Sequence, residues 1–311
     1  MQKIKDPGFG YSSKRNAQSV INKKGESTII HKNKKFSFQD TYAYLIQISW
    51  FQFFLFVFLS YVLINVFFGL IYTLIGIEEI TTLSGNKFKD FLNGFFFSAQ
   101  TITTVGYGGI SPHGFSANLV SAFEALIGLL SFSFITGLLY GRFSKPKASV
   151  KFSNHIIYRD FNDGKALMFR LMNNRSTIMI EPKISVTMAI RNNLEHSISK
   201  RDFYQLKLER KAIRYLSTVW TVVHEIDTES PLFNLSDAEI QKLDVEWYIL
   251  MEYHEDSFAQ KVFQTFVYTN DDLKFNVKFK PSISYNDEGF VVLDHNELST
   301  LIPMETNVEK M

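Results

Sequence analysis

Cysteine is absent from the 311 residues of this sequence. Its absence excludes disulfide bonds, thiolate metal sites, iron–sulfur clusters and cysteine nucleophiles. Charge is scarce in two long stretches: no Asp, Glu, Lys or Arg lies between Asp40 and Glu78, and between Asp90 and Arg142 only Glu124 is charged. Runs of this length exclude a wholly water-soluble globule. The formal net charge of +2 is too small to indicate nucleic-acid binding.

Two apolar segments, one without charge and one with Glu124 as its single charged residue, are long enough to cross a membrane as helices. Residues 50–77 would make a helix of about 42 Å, which exceeds the roughly 30 Å of hydrocarbon in a bilayer. Residues 117–140 form the second span, whose small and polar residues favour packing against protein. The apolar residues 91–102 are too few to span, so we expect a re-entrant helix shielded from lipid.

The distribution of basic residues predicts the orientation of the chain. Residues 1–40 contain nine Lys or Arg and residues 142–151 contain four, whereas the segment between the spans contains only Lys87 and Lys89. Because basic residues favour the cytoplasmic side, we predict a multi-pass protein of the inner (plasma) membrane with both termini in the cytoplasm. We expect residues 1–36 to be a basic, disordered tail and residues 303–311 to be a second tail.

The sequence TVGYG follows the re-entrant helix directly, as Thr104, Val105, Gly106, Tyr107 and Gly108. Potassium channels line their selectivity filter with this sequence, where backbone carbonyl oxygens replace the hydration shell of the ion. The glycines permit backbone conformations that turn successive carbonyls toward one axis. A chance match is the alternative, but the short helix, the flanking spans and the outer location are independent of the motif. We therefore predict a filter for dehydrated K⁺.

The chain resembles the inward-rectifier potassium channels, most closely their prokaryotic (KirBac) type. Besides TVGYG, the resemblance includes DTY at 40–42, SW at 49–50, FFFS at 95–98, YGRF at 140–143, KP at 145–146, FRL at 169–171, NR at 174–175 and SFAQ at 257–260. It covers residues 38–300, with only the tails outside it. It implies a homotetramer that conducts K⁺ without a cofactor, and a pore domain over residues 37–147 that begins with an interfacial slide helix.

Departures from the family pattern bear on rectification. Eukaryotic members carry a Glu before the filter and an Arg after it, whereas this chain has Gln100 and then a glycine and an isoleucine at 109–110. The inner-helix position that is acidic in strong rectifiers is Phe132 here. Without a carboxylate at that position, tight binding of Mg²⁺ or polyamines is not expected, so we predict weak rectification.

The second span offers two bulky candidates for a gate, Phe132 and Tyr140. Eight residues make about 2.2 helical turns, so both lie on nearly one face, about 12 Å apart along the axis. In the resemblance both align with pore-facing positions, where aromatic rings would obstruct hydrated ions. Gly128 above them is the candidate hinge. The alternative is that the two aromatic side chains pack between helices.

Basic residues after the second span are candidates for lipid binding. Arg142, Lys145 and Lys147 lie where lipid phosphates touch family members, so anionic lipids, with phosphoinositides as candidates, are predicted partners. General anchoring at the membrane surface is the alternative. Glu124 needs a polar partner inside the membrane. Either it makes a structural hydrogen bond behind the filter or it shapes the electrostatics of the cavity.

Residues 148–302 change to the two-residue period of β-strands. Apolar and polar residues alternate most clearly at 183–190 and 245–252. Further strands are predicted at 167–171, 203–208, 219–223, 262–268, 275–279 and 290–293, and a short helix at 237–243. Many short strands with few helices predict an immunoglobulin-like β-sandwich, which in the family is the cytoplasmic regulatory domain. The predicted fold class is an α-helical membrane pore domain joined to this all-β sandwich.

Two alternative functions stay open at this point. A two-span potassium channel gated by a soluble cytoplasmic ligand keeps the filter, but the sequence has no Walker A motif and no G-x-G-x-x-G after a strand. A membrane-anchored adaptor whose β domain binds a partner leaves TVGYG unexplained. No nucleophile–base pair or metal-ligand spacing is recognisable, so we do not expect an enzyme.

Overall fold

The computed structural model describes residues 3–14, 18–35, 37–145, 148–193, 198–255 and 260–304. The chain divides into two compact units. Residues 33–145 form the helical unit, and residues 1–32 together with 146–311 form the sandwich unit. Lys147, most of the SFAQ segment and all but two residues of the predicted C-terminal tail lie outside the described residues.

Over its described residues, the helical unit contains four α-helices: α1 (Phe38–Gln47), α2 (Trp50–Ile75), α3 (Lys87–Ile102) and α4 (Phe115–Ser144). α2 and α4 have 26 and 30 residues, and both are long and apolar enough to cross a membrane. α1 lies where the slide helix was expected, and α3 is the short helix between the spans. α2 ends two residues before the predicted end because Gly76 takes a φ of +109°. α4 is longer than its apolar run at both ends.

Local hydrogen bonds fix where these helices begin. The Ser49 hydroxyl accepts the Gln52 N–H at 3.2 Å and the Ser49 N–H donates to the Gln52 side chain at 3.1 Å, a capping box at the start of α2. Asn86 caps α3 through its side-chain oxygen. At α4, the Glu79 carboxylate accepts the Ala117 N–H at 2.8 Å. A negative charge is favourable at this end of a helix.

Glycines allow α3 to pack closely on α2. A Cβ on Gly94 of α3 would lie 2.9 Å from the Gly69 carbonyl oxygen of α2, closer than real Cβ contacts. A Cβ on Gly69 would in turn lie 3.0 Å from the Phe95 nitrogen. Small residues at helix crossings are the usual means of close packing between membrane helices.

Two large β-sheets and two short strand pairs form the part of the sandwich unit that the structure describes. In the described residues the larger sheet orders β1 (Lys3–Ile4), β7 (Ile198–Gln205), β6 (Met179–Asn193), β10 (Asp244–Glu255) and β11 (Gln260–Thr269), with β2 (Ser12–Lys14) also on β7 and β8 (Tyr215–Leu216) also on β6. The smaller sheet orders β12 (Leu273–Phe275), β4 (Ile156–Phe161), β5 (Gly164–Asn173) and β3 (Val150–Phe152), with β9 (Val219–Glu225) on β5. Two separate pairs join β13 (Val277–Phe279) to β16 (Leu301–Pro303) and β14 (Ile283–Tyr285) to β15 (Val291–Leu293).

One hydrophobic core fills the space between the two sheets. It contains Met188 of β6 and Trp247 of β10 from the larger sheet, and Phe169 of β5 from the smaller one. The apolar residues of the alternating segments 183–190 and 245–252 are therefore the ones that face this core. The predicted β-sandwich is confirmed. The predicted helix at 237–243 is α5 (Asp237–Lys242), which begins at a capping box of Ser236 and Glu239.

Several strands of the sandwich unit differ from the sequence prediction: β7 lies at Ile198–Gln205 where 203–208 was expected, and β3, β4, β8, β14 and β16 were not predicted. Two further differences have a physical reason in the structure. Residues 275–279 were expected to form one strand, but Asn276 takes a φ of +54° and separates β12 from β13. Residues 1–36 were expected to be disordered, yet β1 and β2 in this segment pair with β7. Ile4, Phe9 and Ile21 bury apolar surface against the larger sheet, which stabilises the ordered conformation.

Candidate functional site

The TVGYG segment begins just after the end of α3 and is hydrogen-bonded to it. The N–H groups of Val105 and Gly106 both donate to the Gln100 carbonyl, at 2.9 and 3.3 Å. The Thr104 N–H donates to the Thr101 carbonyl at 3.0 Å. These carbonyls lie in the last turn of a helix, where no intrahelical partner is available to them. The bonds therefore anchor the first half of the segment to α3.

The backbone φ angle alternates in sign along the segment. Thr104, Gly106 and Gly108 have φ values of +59°, +54° and +79°, whereas Val105 and Tyr107 have negative φ. In an ordinary strand successive carbonyls point to opposite sides, and alternating the handedness of the backbone brings them to one side. A row of carbonyl oxygens on one side suits a dehydrated cation. Thr104 adopts this conformation at a cost of about 1–3 kcal/mol, because it is not glycine.

One side of the segment is left open by the described residues of this chain. The Tyr107 side chain is 81% exposed, and Val105 is also exposed. Next to Thr104 lies an apolar groove of about 950 Å³, lined by α2, by α4 and by the end of α3. The described residues of one chain therefore leave this side of the segment uncovered.

Four buried polar side chains join α3 to both long helices. The Tyr72 hydroxyl of α2 donates to the Glu124 carboxyl of α4 at 2.6 Å, and the Ser98 hydroxyl of α3 contacts the other Glu124 oxygen. Ser98 Oγ also lies 2.9 Å from Asn65 Oδ1 of α2. None of the four residues has exposed surface. Because buried hydrogen-bonded networks fix the arrangement of their elements, this one holds α3, and the segment after it, in place.

This network supplies the polar partners that Glu124 needs inside the membrane. Of the two roles considered from the sequence, a hydrogen bond behind the TVGYG segment matches the observed contacts with Tyr72 and Ser98. The sequence indicated that Glu124 needs a polar partner. It did not identify Tyr72, Ser98 or Asn65, because their positions along the two apolar segments look like those of any other polar residue in a span.

Gly128 lies where α4 meets the end of α3. A Cβ at this position would overlap the backbone of Ile102, two residues before Thr104. α4 is one continuous helix through Gly128 in this structure, so a hinge there stays a prediction. In the structure, the missing side chain of Gly128 lets α4 pack closely against the residues that precede TVGYG. The sequence alone did not reveal this contact.

The candidate gate residues of α4 are both exposed within one chain. The side chains of Phe132 and Tyr140 are 71% and 74% exposed. Within one chain, therefore, neither side chain packs between helices. The alternative of packing between helices thus finds no support in the described residues, and a role in a gate stays a prediction.

The guanidinium group of Arg142 binds backbone carbonyl groups of its own chain, so it is not free to bind lipid phosphates. Its buried guanidinium donates to the carbonyl oxygens of Leu45, Ile46 and Ile48, at 2.6, 3.2 and 2.8 Å. It also lies 4.5 Å from the centre of the Trp50 ring, a cation–π contact. These contacts occupy most of the guanidinium donors and connect the end of α1 and the start of α2 to α4.

The other two candidates for lipid binding follow α4. Lys145 is exposed, so its ammonium group is accessible from outside the helical unit. Lys147 lies outside the residues that the structure describes. Lys145 is therefore the described candidate whose surroundings fit contact with a lipid headgroup.

Comparison with known proteins assigns the chain to a family. A family described as "Inward rectifier potassium channel C-terminal domain" matches residues 150–310, and one described as "Ion channel" matches residues 59–145. The chain is 31% identical over 277 residues to "Inward rectifier potassium channel Kirbac3.1" of Paramagnetospirillum magnetotacticum, which covers 88% of this chain and 92% of that protein.

A more distant relative matches over a similar span. The chain is 25% identical over 319 residues to "G protein-activated inward rectifier potassium channel 2" of Homo sapiens, which covers 91% of this chain and 72% of that protein. These proteins are ion channels and not enzymes, and the two long apolar helices fit a membrane-inserted protein. The chain therefore belongs to the inward rectifier potassium channel family and is of the prokaryotic type.

Proposed function

We propose that four copies of this chain form a potassium-selective pore whose selectivity filter is residues 104–108. The observation that carries the proposal is the alternation of φ along these residues, directly after a short helix held between two spans. Four such segments around one axis stack rings of four carbonyl oxygens. These oxygens replace the hydration shell of K⁺, which is the permeant ion, and no cofactor takes part.

Exposed apolar surface supports an assembly of several copies. The groove of about 950 Å³ beside Thr104 is lined by apolar side chains of α2 and α4 and is open in a single chain. Lipid covers apolar surface on the outside of a membrane protein, but a groove that borders a row of carbonyl oxygens needs protein against it. A symmetric ring of four chains supplies that neighbour and closes the filter.

The gate in this proposal is formed by Phe132 and Tyr140 of α4. Four copies of each exposed aromatic ring narrow the pore below the filter and oppose the passage of hydrated ions. The side chain of Phe132 carries no charge, so it does not bind Mg²⁺ or polyamines, and rectification is weak. Replacing Tyr140 by Ala should raise basal flux. Unchanged flux would remove Tyr140 from the gate.

The remaining parts of the proposal concern location and regulation. Both termini face the cytoplasm in the inner (plasma) membrane, since the basic residues lie before α2 and after α4. The sandwich, residues 148–302, is the cytoplasmic regulatory domain. Anionic lipids, with phosphoinositides as candidates, act through Lys145 and Lys147, while Arg142 contributes by holding α1 against α4.

A rubidium flux experiment tests the proposed function. Protein reconstituted into vesicles should take up rubidium, and barium should block the uptake. Gly106→Ala should abolish it, because Gly106 has a φ of +54° that a residue with a Cβ resists. Gly109→Ala is the matched control: Gly109 has no positive φ, and a Cβ there meets nothing within 4 Å. Normal flux with Gly106→Ala would contradict the assignment of the filter.

A further inference from the structure

The end of the TVGYG segment is held differently from its beginning. The first half is bonded to α3, but among the described residues the backbone N–H groups of residues 107–110 have no acceptor in the same chain. The next bonded N–H group is that of Ser111, which donates to the Ile80 carbonyl at 3.3 Å. The positions of Tyr107 and Gly108 therefore depend on contacts that the chain makes after the segment.

A single 3₁₀ turn, Ile77–Glu79, and the residue after it supply the partners for these contacts. Ile77 and Ile80 belong to a buried apolar cluster whose other members come from three helices: Phe68 and Tyr72 of α2, Phe97 of α3 and Ala117 of α4. Ile110, two residues after TVGYG, packs against the same cluster. Because packed interiors deform little, the turn is a firm support for residues 110–117.

Glu79 makes two hydrogen bonds with the chain that follows TVGYG. Its backbone carbonyl accepts the His113 N–H at 2.7 Å, and its carboxylate accepts the Ala117 N–H at 2.8 Å. Ala117 lies in the first turn of α4, where N–H groups have no intrahelical acceptor and where a negative charge is favourable. One residue thus binds the chain both before α4 and inside its first turn.

The Glu79 carboxylate lies directly against the backbone of Gly114. A Cβ on Gly114 would overlap the Glu79 carboxyl group, and Glu79 Cγ would be only 2.7 Å from it. Gly114 has φ −87° and ψ 163°, which any residue adopts, so its backbone conformation does not require glycine. The missing side chain instead leaves room for the carboxylate that binds Ala117.

We propose that Glu79 is a positioning residue for potassium selectivity. Its carboxylate holds residues 111–117 against the 3₁₀ turn and thereby fixes the direction in which the chain leaves TVGYG. The inference rests on the proposed function of TVGYG as a filter. A binding site keeps its geometry to within about 0.5 Å only when surrounding contacts hold it. A filter released at this end lets its carbonyls move closer together, where they also coordinate the smaller Na⁺.

Uptake of sodium and of rubidium into vesicles that contain the full-length protein tests this role. Glu79→Ala should raise the ratio of sodium to rubidium uptake about two- to tenfold, the range that corresponds to the loss of one hydrogen bond. Glu79→Gln should keep the wild-type ratio, because its amide oxygen also accepts the Ala117 N–H. A merely structural role would change both uptakes by the same factor and leave their ratio unchanged.

Glu78→Ala is the matched control. It removes the same charge one residue earlier, from an exposed side chain that makes no hydrogen bond among the described residues. Its ratio of sodium to rubidium uptake should equal that of the wild type. An equal rise with Glu78→Ala and Glu79→Ala would assign the effect to charge near the pore and would overturn the proposal.

Gly114→Ala reaches the same contact from its other side. The added Cβ should displace the Glu79 carboxylate from the Ala117 N–H and raise the uptake ratio as much as Glu79→Ala does. The double variant, Glu79→Ala with Gly114→Ala, should be no worse than either single variant, since both remove one interaction. Effects that multiply in the double variant would show two independent causes and would overturn the proposal.

The outcomes distinguish this inference from the proposed function. If the wild type takes up rubidium selectively and Glu79→Ala has the same uptake ratio, the role of Glu79 is wrong and the filter stands. If the wild type does not prefer rubidium to sodium, the proposed function fails, and the role of Glu79 fails with it. Should Glu79→Ala not fold, Gly114→Ala decides by the same ratio, because it retains Glu79.

Discussion

The helical unit and the sandwich unit place their large apolar side chains in opposite ways. In the sandwich unit, Trp247, Ile249 and Met251 of β10 have no exposed surface. In the helical unit, Phe58 of α2 and Phe132 of α4 are mostly exposed. One chain completes the core of the sandwich, whereas the helices present apolar surface that the described residues of one chain leave uncovered. The comparison teaches that burial within one chain identifies the folding core here but not the functional surface.

The largest expected effect comes from a change in the sandwich core. Trp247→Ala should lower the free energy of unfolding of the sandwich by about 3–5 kcal/mol, because it removes a fully buried side chain and leaves a cavity. Phe132→Ala should change stability by no more than about 0.5 kcal/mol, since Phe132 is exposed. Chemical denaturation in detergent measures both. A loss with Phe132→Ala as large as that with Trp247→Ala would mean that Phe132 packs between helices of the assembly.

A smaller effect is expected where α4 meets α3. Gly128→Ala should destabilise the helical unit by about 1–3 kcal/mol, since its Cβ would overlap the Ile102 backbone. Gly137→Ala, on the same helix, meets no atom within 4 Å and should be neutral or stabilise the helix by about 0.5–1 kcal/mol. Thermal melting of the detergent-solubilised protein separates the two variants. If both melted alike, close packing at Gly128 would not matter to stability.

The buried network around Glu124 gives a further pair of variants. The Asn65 amide donates to the Tyr61 carbonyl at 2.7 Å, which directs its oxygen to Ser98. Ser98 has one hydroxyl hydrogen, so if it donates to Asn65 its contact with Glu124 needs a hydrogen from the carboxyl group. Glutamine supplies both a donor and an acceptor at this position.

Glu124→Gln should therefore keep the fold and the flux. Glu124→Ala should cost about 1–3 kcal/mol, because it leaves the buried Tyr72 hydroxyl without a partner and removes one of the two contacts of the Ser98 hydroxyl. Melting temperature and rubidium uptake are the two measurements. A glutamine variant as impaired as the alanine variant would show that the charge of Glu124 is required.

The smallest expected effect is a pH dependence of the sandwich. His224 is buried: Nδ1 lies 2.7 Å from the Lys207 carbonyl and Nε2 lies 2.9 Å from the Ser230 hydroxyl. Burial lowers the pKa of His224 below its usual 6.5, more than the Lys207 carbonyl and nearby carboxylates raise it. The unfolded chain thus binds a proton more readily than the folded one. The contribution of neutral His224 to the free energy of unfolding is therefore complete above pH 6.5 and is lost as the pH falls below that value.

His224→Gln should flatten the dependence of the melting temperature on pH between 7.5 and 5. Other titrating groups are the same in both proteins, so the difference between the two curves isolates His224. Parallel curves would show that protonation of His224 is not linked to unfolding.

The parts of the fold that the sequence predicts are those that depend on local patterns. α2 begins at Trp50 as expected, because an uncharged run can be counted and Ser49 with Gln52 forms its cap. β6 and β10 follow from alternation of apolar and polar residues. TVGYG is recognisable since its chemistry lies in five consecutive residues.

The parts that the sequence does not predict depend on distant contacts. Phe9 stabilises the N-terminal segment only because Tyr248, far along the chain, lies under its ring. Arg142 looks like other basic residues that follow a span, but three carbonyls at the end of α1 surround it. Gly128 looks like a flexible point, and its packing on Ile102 appears only when α3 and α4 are both in place.

The most direct test of the central claim is a diffraction experiment on the assembled protein with rubidium in place of potassium. The account predicts four chains around one axis, with anomalous peaks on that axis between the carbonyl oxygens of Thr104, Val105, Gly106 and Tyr107. A different number of chains, or an axis without rubidium at these carbonyls, would contradict it.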